Sequence, residues 1–219
     1  MTDHRPFKRA LYEQFAQVGK ALASPARLEL LDLLAQAERS VEDLAREAGL
    51  TTANASQHLQ VLRQARLVDV RREGTFAFYR LAGLEAFRVW QSLRDFGDTR
   101  MAEVRQIVQT YLQERDDLET ITLDELSARL EDVVLLDVRP VGEFQAGHIP
   151  GARSMPIEDL ENMWHDLPQG ASIVAYCRGP YCLYSDEAVK VLRARGFDAR
   201  RLVVGLPDWR AAGLPVKSV

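Results

Sequence analysis

Cysteine is almost missing from this chain: there are two in 219 residues, Cys177 and Cys182, both in one short segment. So few excludes a secreted scaffold framed by disulfides. They fit an intracellular chain with reduced thiols, in which any bond between them is transient and chemical. Long apolar runs are missing too. No stretch approaches the roughly 20 apolar residues that a membrane-spanning helix needs. The opening M-T-D-H-R-P-F-K-R-A lacks the apolar run of a signal peptide. The expectation is a soluble, cytoplasmic protein with no membrane partner. A large charge of one sign is lacking as well. The net charge of −4 neither requires nor rules out nucleic acid, because charge is often spread unevenly. No internal repeat or low-complexity segment is visible. What is present is an apolar fraction of 47%, enough for real cores, in a length that suits one large domain or two small ones.

The first half reads as helices with one hairpin. Phe7 to Ala23 places Leu11, Phe15, Val18 and Leu22 at helical spacing. Ser24-Pro25 supplies an N-cap and a proline at the first helical position for a second helix, with Leu28, Leu31 and Leu34 inward. Ser40 caps a third helix that stops at Gly49. Thr51 or Thr52 opens a fourth, running to about Ala65. L-V-D-V-R-R-E-G-T-F-A-F-Y-R-L alternates on both sides of Glu73-Gly74, the pattern of a β-hairpin. Leu84 to about Leu112 reads as one long amphipathic helix, with Gly97 as its weak point. Phe87, Trp90, Leu93, Val104, Ile107, Val108 and Tyr111 are candidates for its buried face.

The pattern then changes. R-D-D-L-E-T (115–120) reads as a linker and T-L-D-E-L-S-A-R-L as a short capped helix. V-V-L-L-D-V, S-I-V-A-Y-C and A-R-R-L-V-V-G are apolar runs of the kind that strands buried on both faces show. Helical segments lie between them, including Ser185 to Arg195. Strands alternating with helices mean an α/β domain with a parallel-type sheet. The expected organisation is therefore a mainly α domain over 1–117 and an α/β domain over 118–219. Basic and acidic residues number 17 and 17 before this boundary and 11 and 15 after it.

Two short helices joined by a tight turn are the geometry of helix-turn-helix DNA readers. On the second helix Ala55, Leu59 and Leu62 point into a core, while Asn54, Gln57 and, less directly, Gln60 point away. Asn and Gln amides pair bidentately with adenine in the major groove. Thr52, Ser56 and His58 flank that face and suit phosphate. Arg71 and Arg72 lie near the hairpin tip and Arg80 on its return strand. From Thr52 to Arg80 there are five arginines against two acids, a local excess that the domain total hides.

A-L-A-S-P-A-R-L-E-L-L-D-L-L, A-S-Q-H-L-Q-V-L-R-Q-A-R-L-V and R-R-E-G-T-F-A-F-Y-R-L together resemble the ArsR-type winged helix-turn-helix of bacterial repressors, over residues 7 to 112. The resemblance implies a homodimer joined through its first and last helices, with recognition helix and wing on a palindromic double-stranded operator. It also implies that Leu84–Leu112 is a dimerisation element. The metal-sensing members often carry Cys-x-Cys in the third helix. Here that place reads E-R-S-V-E-D-L, and His4 and His58 are the only histidines of this half. Soft-metal sensing needs thiolates, so no metal site and no cofactor are expected.

The second half centres on Y-C-R-G-P-Y-C-L-Y-S, 176 to 185. A tight loop between strand end and helix start gathers backbone N–H groups beside the positive end of a helix dipole. Such a place favours an anionic sulfur at Cys177 and lowers its pKa. Arg178 is expected to act with Cys177 and Cys182 in the chemistry, and Gly179, Pro180, Tyr181 and Leu183 to form the anion cradle. L-L-D-V-R-P-V-G-E-F-Q-A-G-H-I-P-G-A and G-L-P-D-W-R-A-A-G-L-P-V resemble, with that loop, a rhodanese-like domain over 119 to 219. By that resemblance Cys177 takes the sulfur-accepting position and forms a persulfide. Asp137, Arg139, Glu143 and His148 match the signature and mostly tie strand to loop. A phosphatase of related fold needs arginine six beyond its cysteine. Here Leu183 stands there, which argues against phosphoryl chemistry. Thiosulfate-using rhodaneses often carry a cation five beyond it. Here Cys182 stands there, which argues against thiosulfate. A second thiol at that place is able to attack a persulfide on Cys177 and close a disulfide, or to hold sulfur as a polysulfide bridge.

The expected function is a repressor-type regulator whose second domain senses or carries sulfane sulfur from a persulfide or polysulfide donor. The alternative is a sulfurtransferase acting through Cys177, with the DNA-binding half serving autoregulation.

Overall fold

The computed structural model describes residues 4–112 and 118–219. The expected linker at 115–120 and the boundary at 117 lie partly outside these residues. Packing divides the chain into two compact units, 1–92 and 93–219.

The first unit contains α1 (Arg5–Leu22), α2 (Pro25–Gln36), β1 (Arg39–Ser40), α3 (Val41–Glu47), α4 (Thr52–Gln64), β2 (Val68–Glu73), β3 (Phe76–Leu81) and the beginning of α5 (Leu84–Arg100). Short polar caps set these boundaries. Ser40 Oγ accepts the Asp43 N–H at 3.1 Å to start α3, and Thr51 Oγ1 accepts that of Asn54 at 3.2 Å to start α4. Between them Gly49 takes φ +62°, a left-handed conformation that glycine adopts without penalty, so the chain turns sharply from α3 to α4. Gly74, at φ +59°, does the same between β2 and β3. The three strands form an antiparallel sheet in the order β1-β3-β2.

Three expectations are corrected here. In α2, Leu28 is only half-buried, whereas Leu30, Leu31, Leu33 and Leu34 are all buried. The helix is packed on more than one side, so a single inward stripe understates its burial. The helix expected over Leu84–Leu112 is two: α5 ends at Arg100 and α6 (Ala102–Tyr111) follows. The break falls at Met101, in extended backbone at φ −102° and ψ 111°, while Gly97 stays helical. Arg105 Nη1 reaches back to the carbonyls of Asp98 and Thr99 at 3.2 and 3.4 Å, satisfying acceptors that the end of a helix leaves open. Finally, of the expected buried face Phe87 is buried, but Leu93, Ile107 and Tyr111 are exposed on the single chain.

The second unit contains the end of α5, α6, β4 (Thr120–Ile121), α7 (Leu123–Ala128), β5 (Val134–Asp137), α8 (Val141–Ala146), β6 (Arg153–Ser154), α9 (Ile157–Met163), β7 (Ser172–Tyr176), α10 (Leu183–Ala194), β8 (Asp198–Leu202) and α11 (Leu206–Ala211). Five parallel strands run in the order β4-β8-β7-β5-β6. Successive side chains enter opposite cores. Ile173, Ala175 and Cys177 join one with Leu160, Val189 and Leu192, and Val174 and Tyr176 join the other with Leu126, Leu206 and Trp209. Helices cover both faces, as a parallel sheet requires. The C-terminal strand ends, where open α/β sheets bind ligands, carry Asp137 on β5 and Cys177 just past β7. No helix among the described residues is long and apolar enough to cross a membrane.

Candidate functional site

The cysteine loop begins where β7 ends. Cys177 and Cys182 are joined by a disulfide, with their Cα atoms 6.2 Å apart, inside the reach of such a bond. Cys177 is 1% exposed, while Cys182 is half-buried. In this bonded form Cys182 is the more exposed of the two. The Cys182 N–H donates to the Gly179 carbonyl at 3.1 Å, closing the turn. Cys182 is also the N-cap of α10, so Leu183, expected in the loop, is already the first residue of the helix.

Beneath the loop lies a buried polar network. Arg139 donates from Nη2 to Asp137 Oδ2 at 2.6 Å and from Nε to Oδ1 at 2.9 Å, and again from Nη2 to the Gly147 carbonyl at 2.7 Å. The Tyr176 hydroxyl donates to Asp137 Oδ2 at 2.6 Å and accepts the Ile149 N–H at 3.1 Å. Burial, reinforced by the Asp137 charge, pushes the Tyr176 phenol far above its ordinary pKa and keeps it a donor. For Arg139, burial works against the charge, but the bond to Asp137 and its carboxylate charge outweigh burial and raise the pKa. Arg178 donates to Glu143 Oε1 from Nε at 2.9 Å and from Nη2 at 2.5 Å, and the Glu143 side chain is 2% exposed. The one loop cation is thus drawn down onto a buried carboxylate. His148 Nδ1 lies 3.0 Å from the Phe144 carbonyl, and its backbone forms a bridge with Lys217. From the other side Gly205 packs directly on the backbone of Arg178 and Gly179, so close that a Cβ would collide.

Two further contacts of α5 bear on this loop, one directly and one by way of Gly205, and sequence reasoning missed both. Tyr181, between the two cysteines, donates its hydroxyl to Asp98 Oδ1 at 2.5 Å. Burial and this carboxylate raise its pKa well above the ordinary phenol value. Arg94 Nη2 meets Asp208 Oδ1 at 2.6 Å, both side chains buried, and Asp208 Oδ2 accepts the Gly205 N–H at 3.3 Å. Tyr176 was missed as well, because a tyrosine within an apolar strand reads as core. Its pleat position, next to the cysteine, is the signal that was available.

In the first unit, Thr52, Asn54, Gln57 and Gln60 stand exposed along α4, with Ser56 and His58 half-buried and Ala55, Leu59 and Leu62 fully buried behind. The arginine excess is smaller than the local count gives. Arg71 meets Glu38 at 2.7 Å and Glu73 at 2.8 Å, and lies over the Phe78 ring. Arg80 is 3.9 Å from Asp69. Glu38 comes from outside the counted segment, which is why the count missed it. Arg72 is exposed and has no ion-pair partner among the described residues. No group of metal-ligating side chains is found among those residues.

Residues 24–70 match the model of the bacterial regulatory protein, arsR family, and residues 122–212 that of the rhodanese-like domain. The HTH-type transcriptional regulator Rv0324 of Mycobacterium tuberculosis is 45% identical over 211 residues, covering 95% of this chain and 92% of that protein. A sulfurtransferase of Allochromatium vinosum is 28% identical over 102 residues, covering 46% of this chain and 94% of that one. Among solved structures, the homodimeric winged helix-turn-helix DNA-binding domain of Mb0332 from Mycobacterium bovis, a possible ArsR-family regulator, is 43% identical. That match covers 47% of this chain and 93% of that one, with a TM-score of 0.43.

Proposed function

This chain belongs to the ArsR family of bacterial regulatory proteins, with a rhodanese-like domain behind its winged helix-turn-helix, and we propose that it is an operator-binding repressor whose DNA affinity responds to sulfane sulfur taken up by Cys177 and Cys182. The DNA-binding and dimerisation domain is assigned to 1–117 and the sulfur-responsive domain to 118–219. Asn54, Gln57 and Gln60 read base edges in the major groove. Thr52, Ser56, His58 and the wing arginines hold phosphate. A homodimer is supported by exposed apolar side chains, Phe7, Leu11, Tyr12 and Phe15 along α1 and, taken separately, Leu93 and Phe96 on α5, because large apolar side chains gathered on one helix mark interaction surfaces.

The chemistry starts from the reduced pair. The Cys177 thiolate attacks the outer sulfur of a persulfide, RS–SH. The S–S bond of the donor breaks, RS⁻ leaves, and Cys177 carries S–SH. The Cys182 thiolate then attacks Cys177 Sγ, the bond to the outer sulfur breaks, and hydrosulfide leaves as the disulfide forms. Two thiols are oxidised and one sulfane sulfur is reduced to sulfide. Persulfide and polysulfide are preferred to thiosulfate because the loop offers that dianion little free charge: Arg178 is held by Glu143.

The observation that carries this reading is the pairing of the chain's only two cysteines, 6.2 Å apart at Cα, at the C-terminal end of a parallel sheet. Its test is a titration of labelled promoter DNA from upstream of the protein's own gene, with reduced protein before and after polysulfide. Affinity changes by about fivefold or more, the ordinary scale of coupling between sites. Unchanged affinity with Cys177 shown to be modified contradicts it. A second reading, a sulfurtransferase that turns over through Cys177, is favoured by the likeness to the Allochromatium vinosum protein. It calls for turnover of a persulfide or thiosulfate donor that Cys177→Ser abolishes.

A further inference from the structure

The cysteine loop touches α5 at one side chain, and that side chain lies between the two sulfur atoms in sequence. Tyr181 precedes Cys182 and donates its hydroxyl to Asp98 Oδ1 at 2.5 Å. Asp98 sits in the last turn of α5, one turn beyond Arg94, which is bonded to Asp208 at 2.6 Å. Asp208 in turn accepts the N–H of Gly205, and Gly205 rests on the backbone of Arg178. Both contacts lie within the second compact unit, 93–219, and both lead from α5 to the cysteine loop. They differ in kind. Arg94 and Asp208 are buried and reach the loop through packed backbone, so they hold fast. Tyr181 is 40% exposed and sits on the short segment that the disulfide closes, so it moves with that segment.

We propose that the end of α5 reads the state of the cysteine pair through the Tyr181–Asp98 hydrogen bond, with Arg94–Asp208 as the fixed pivot. The inference rests on the reading that this pair opens and closes. Bonded sulfur atoms lie well inside the distance that unbonded ones keep. Reduction by a dithiol transfers two electrons and two protons to the pair and leaves a disulfide on the reductant. The loop between Cys177 and Cys182 must then widen. Cys177 is a fully buried member of the core, whereas Cys182 is half-buried at its edge and Tyr181 is 40% exposed, so the displacement falls on the Cys182 side, where Tyr181 is. The bond to Asp98 loosens, and the last turn of α5 loses a tie. That helix is the element in which the chain passes from the first unit to the second, so its order is the quantity the loop controls.

The test is amide hydrogen exchange of the full chain, read over residues 93–100, in the disulfide form and in the form reduced by dithiothreitol, with intact mass confirming each state. Exchange there is faster in the reduced form by about fivefold or more, the low end of ordinary site-to-site coupling. In Tyr181→Phe and in Asp98→Ala the two states exchange alike, while the disulfide still forms. Equal exchange in both states of the unaltered protein overturns the inference, as does an undiminished difference in both variants. The regulator reading fails separately. If promoter DNA binds the two states equally while exchange at 93–100 still differs, α5 reads the loop but DNA binding does not follow.

Discussion

Arg139 and Asp137 meet at 2.6 Å with neither side chain reached by solvent. The pair sits under the cysteine loop, with Tyr176 bonded to the same carboxylate. Breaking such a pair leaves a buried charge without its partner. Arg139→Met is therefore expected to destabilise the rhodanese-like unit by about 3–5 kcal/mol. Thermal unfolding followed by near-ultraviolet circular dichroism measures it. A change below about 1 kcal/mol, the range of surface pairs, contradicts the account.

Gly205 approaches the Arg178 backbone too closely for a side chain, although its φ of −110° suits any residue. Gly205→Ala must push the β8–α11 turn or the cysteine loop aside, at about 1–3 kcal/mol, the usual cost of overpacking. It should also slow disulfide closure. Gly142, on α8, has open space at its Cβ. Gly142→Ala should keep the loop intact and stabilise slightly, by up to about 1 kcal/mol. Parallel melts and thiol titration compare the two. Equal behaviour contradicts the close packing of Gly205 on the loop.

Two phenols are pushed upward, Tyr176 by burial and then Asp137, Tyr181 by burial and then Asp98. A raised pKa in the fold means that the neutral form contributes stability below the unfolded value of about 10. That stability is lost as pH rises through the folded values. Absorbance at 295 nm should thus show part of the tyrosine ionisation delayed beyond the free phenol. Tyr181→Phe should remove some of the late amplitude. A curve without a delayed component contradicts both environments.

On α4, Asn54→Ala and Gln57→Ala should each weaken operator binding by about 1–3 kcal/mol and relax base preference, the effect of removing a base contact. Arg72→Ala should weaken binding across sequences and reduce the salt slope by about 1. Arg71→Ala should have the smaller effect, because Glu38 and Glu73 already engage that side chain. Titrations at several salt concentrations separate these outcomes. Equal slopes for the two arginine variants contradict the distinction.

The helices and hairpin were legible because local chemistry marks them: Ser40 and Thr51 cap, and Gly49 and Gly74 turn. Strands β5 and β7 were legible as apolar runs, whereas β8 (Asp198–Leu202) carries the half-buried Arg200 and Arg201 and only its last residue belongs to the run Leu202–Val204. Strands β1, β4 and β6, of two residues each, are too short to carry a pattern. The break at Met101 was not legible, because it depends on Arg105 folding back onto carbonyls. Pairings distant in sequence were hidden for the same reason. Arg71 and Glu38 are 33 residues apart, Arg178 and Glu143 35, and Tyr181 and Asp98 83. The sequence marked the cysteine loop itself. Only the fold shows that Arg178 is turned away from it and that Tyr181 ties it to α5.

The most direct measurement is the intact mass of reduced protein after polysulfide treatment, beside Cys177→Ser and Cys182→Ser. The unaltered protein should end about 2 Da below the dithiol, the two hydrogens lost when a disulfide closes, or with whole sulfur atoms held between the cysteines. Cys182→Ser should keep a persulfide, about 32 Da heavier, because the resolving thiol is gone. An unaltered protein that keeps its dithiol mass, under conditions that modify a free cysteine, contradicts the proposal that this pair is where the protein meets sulfane sulfur.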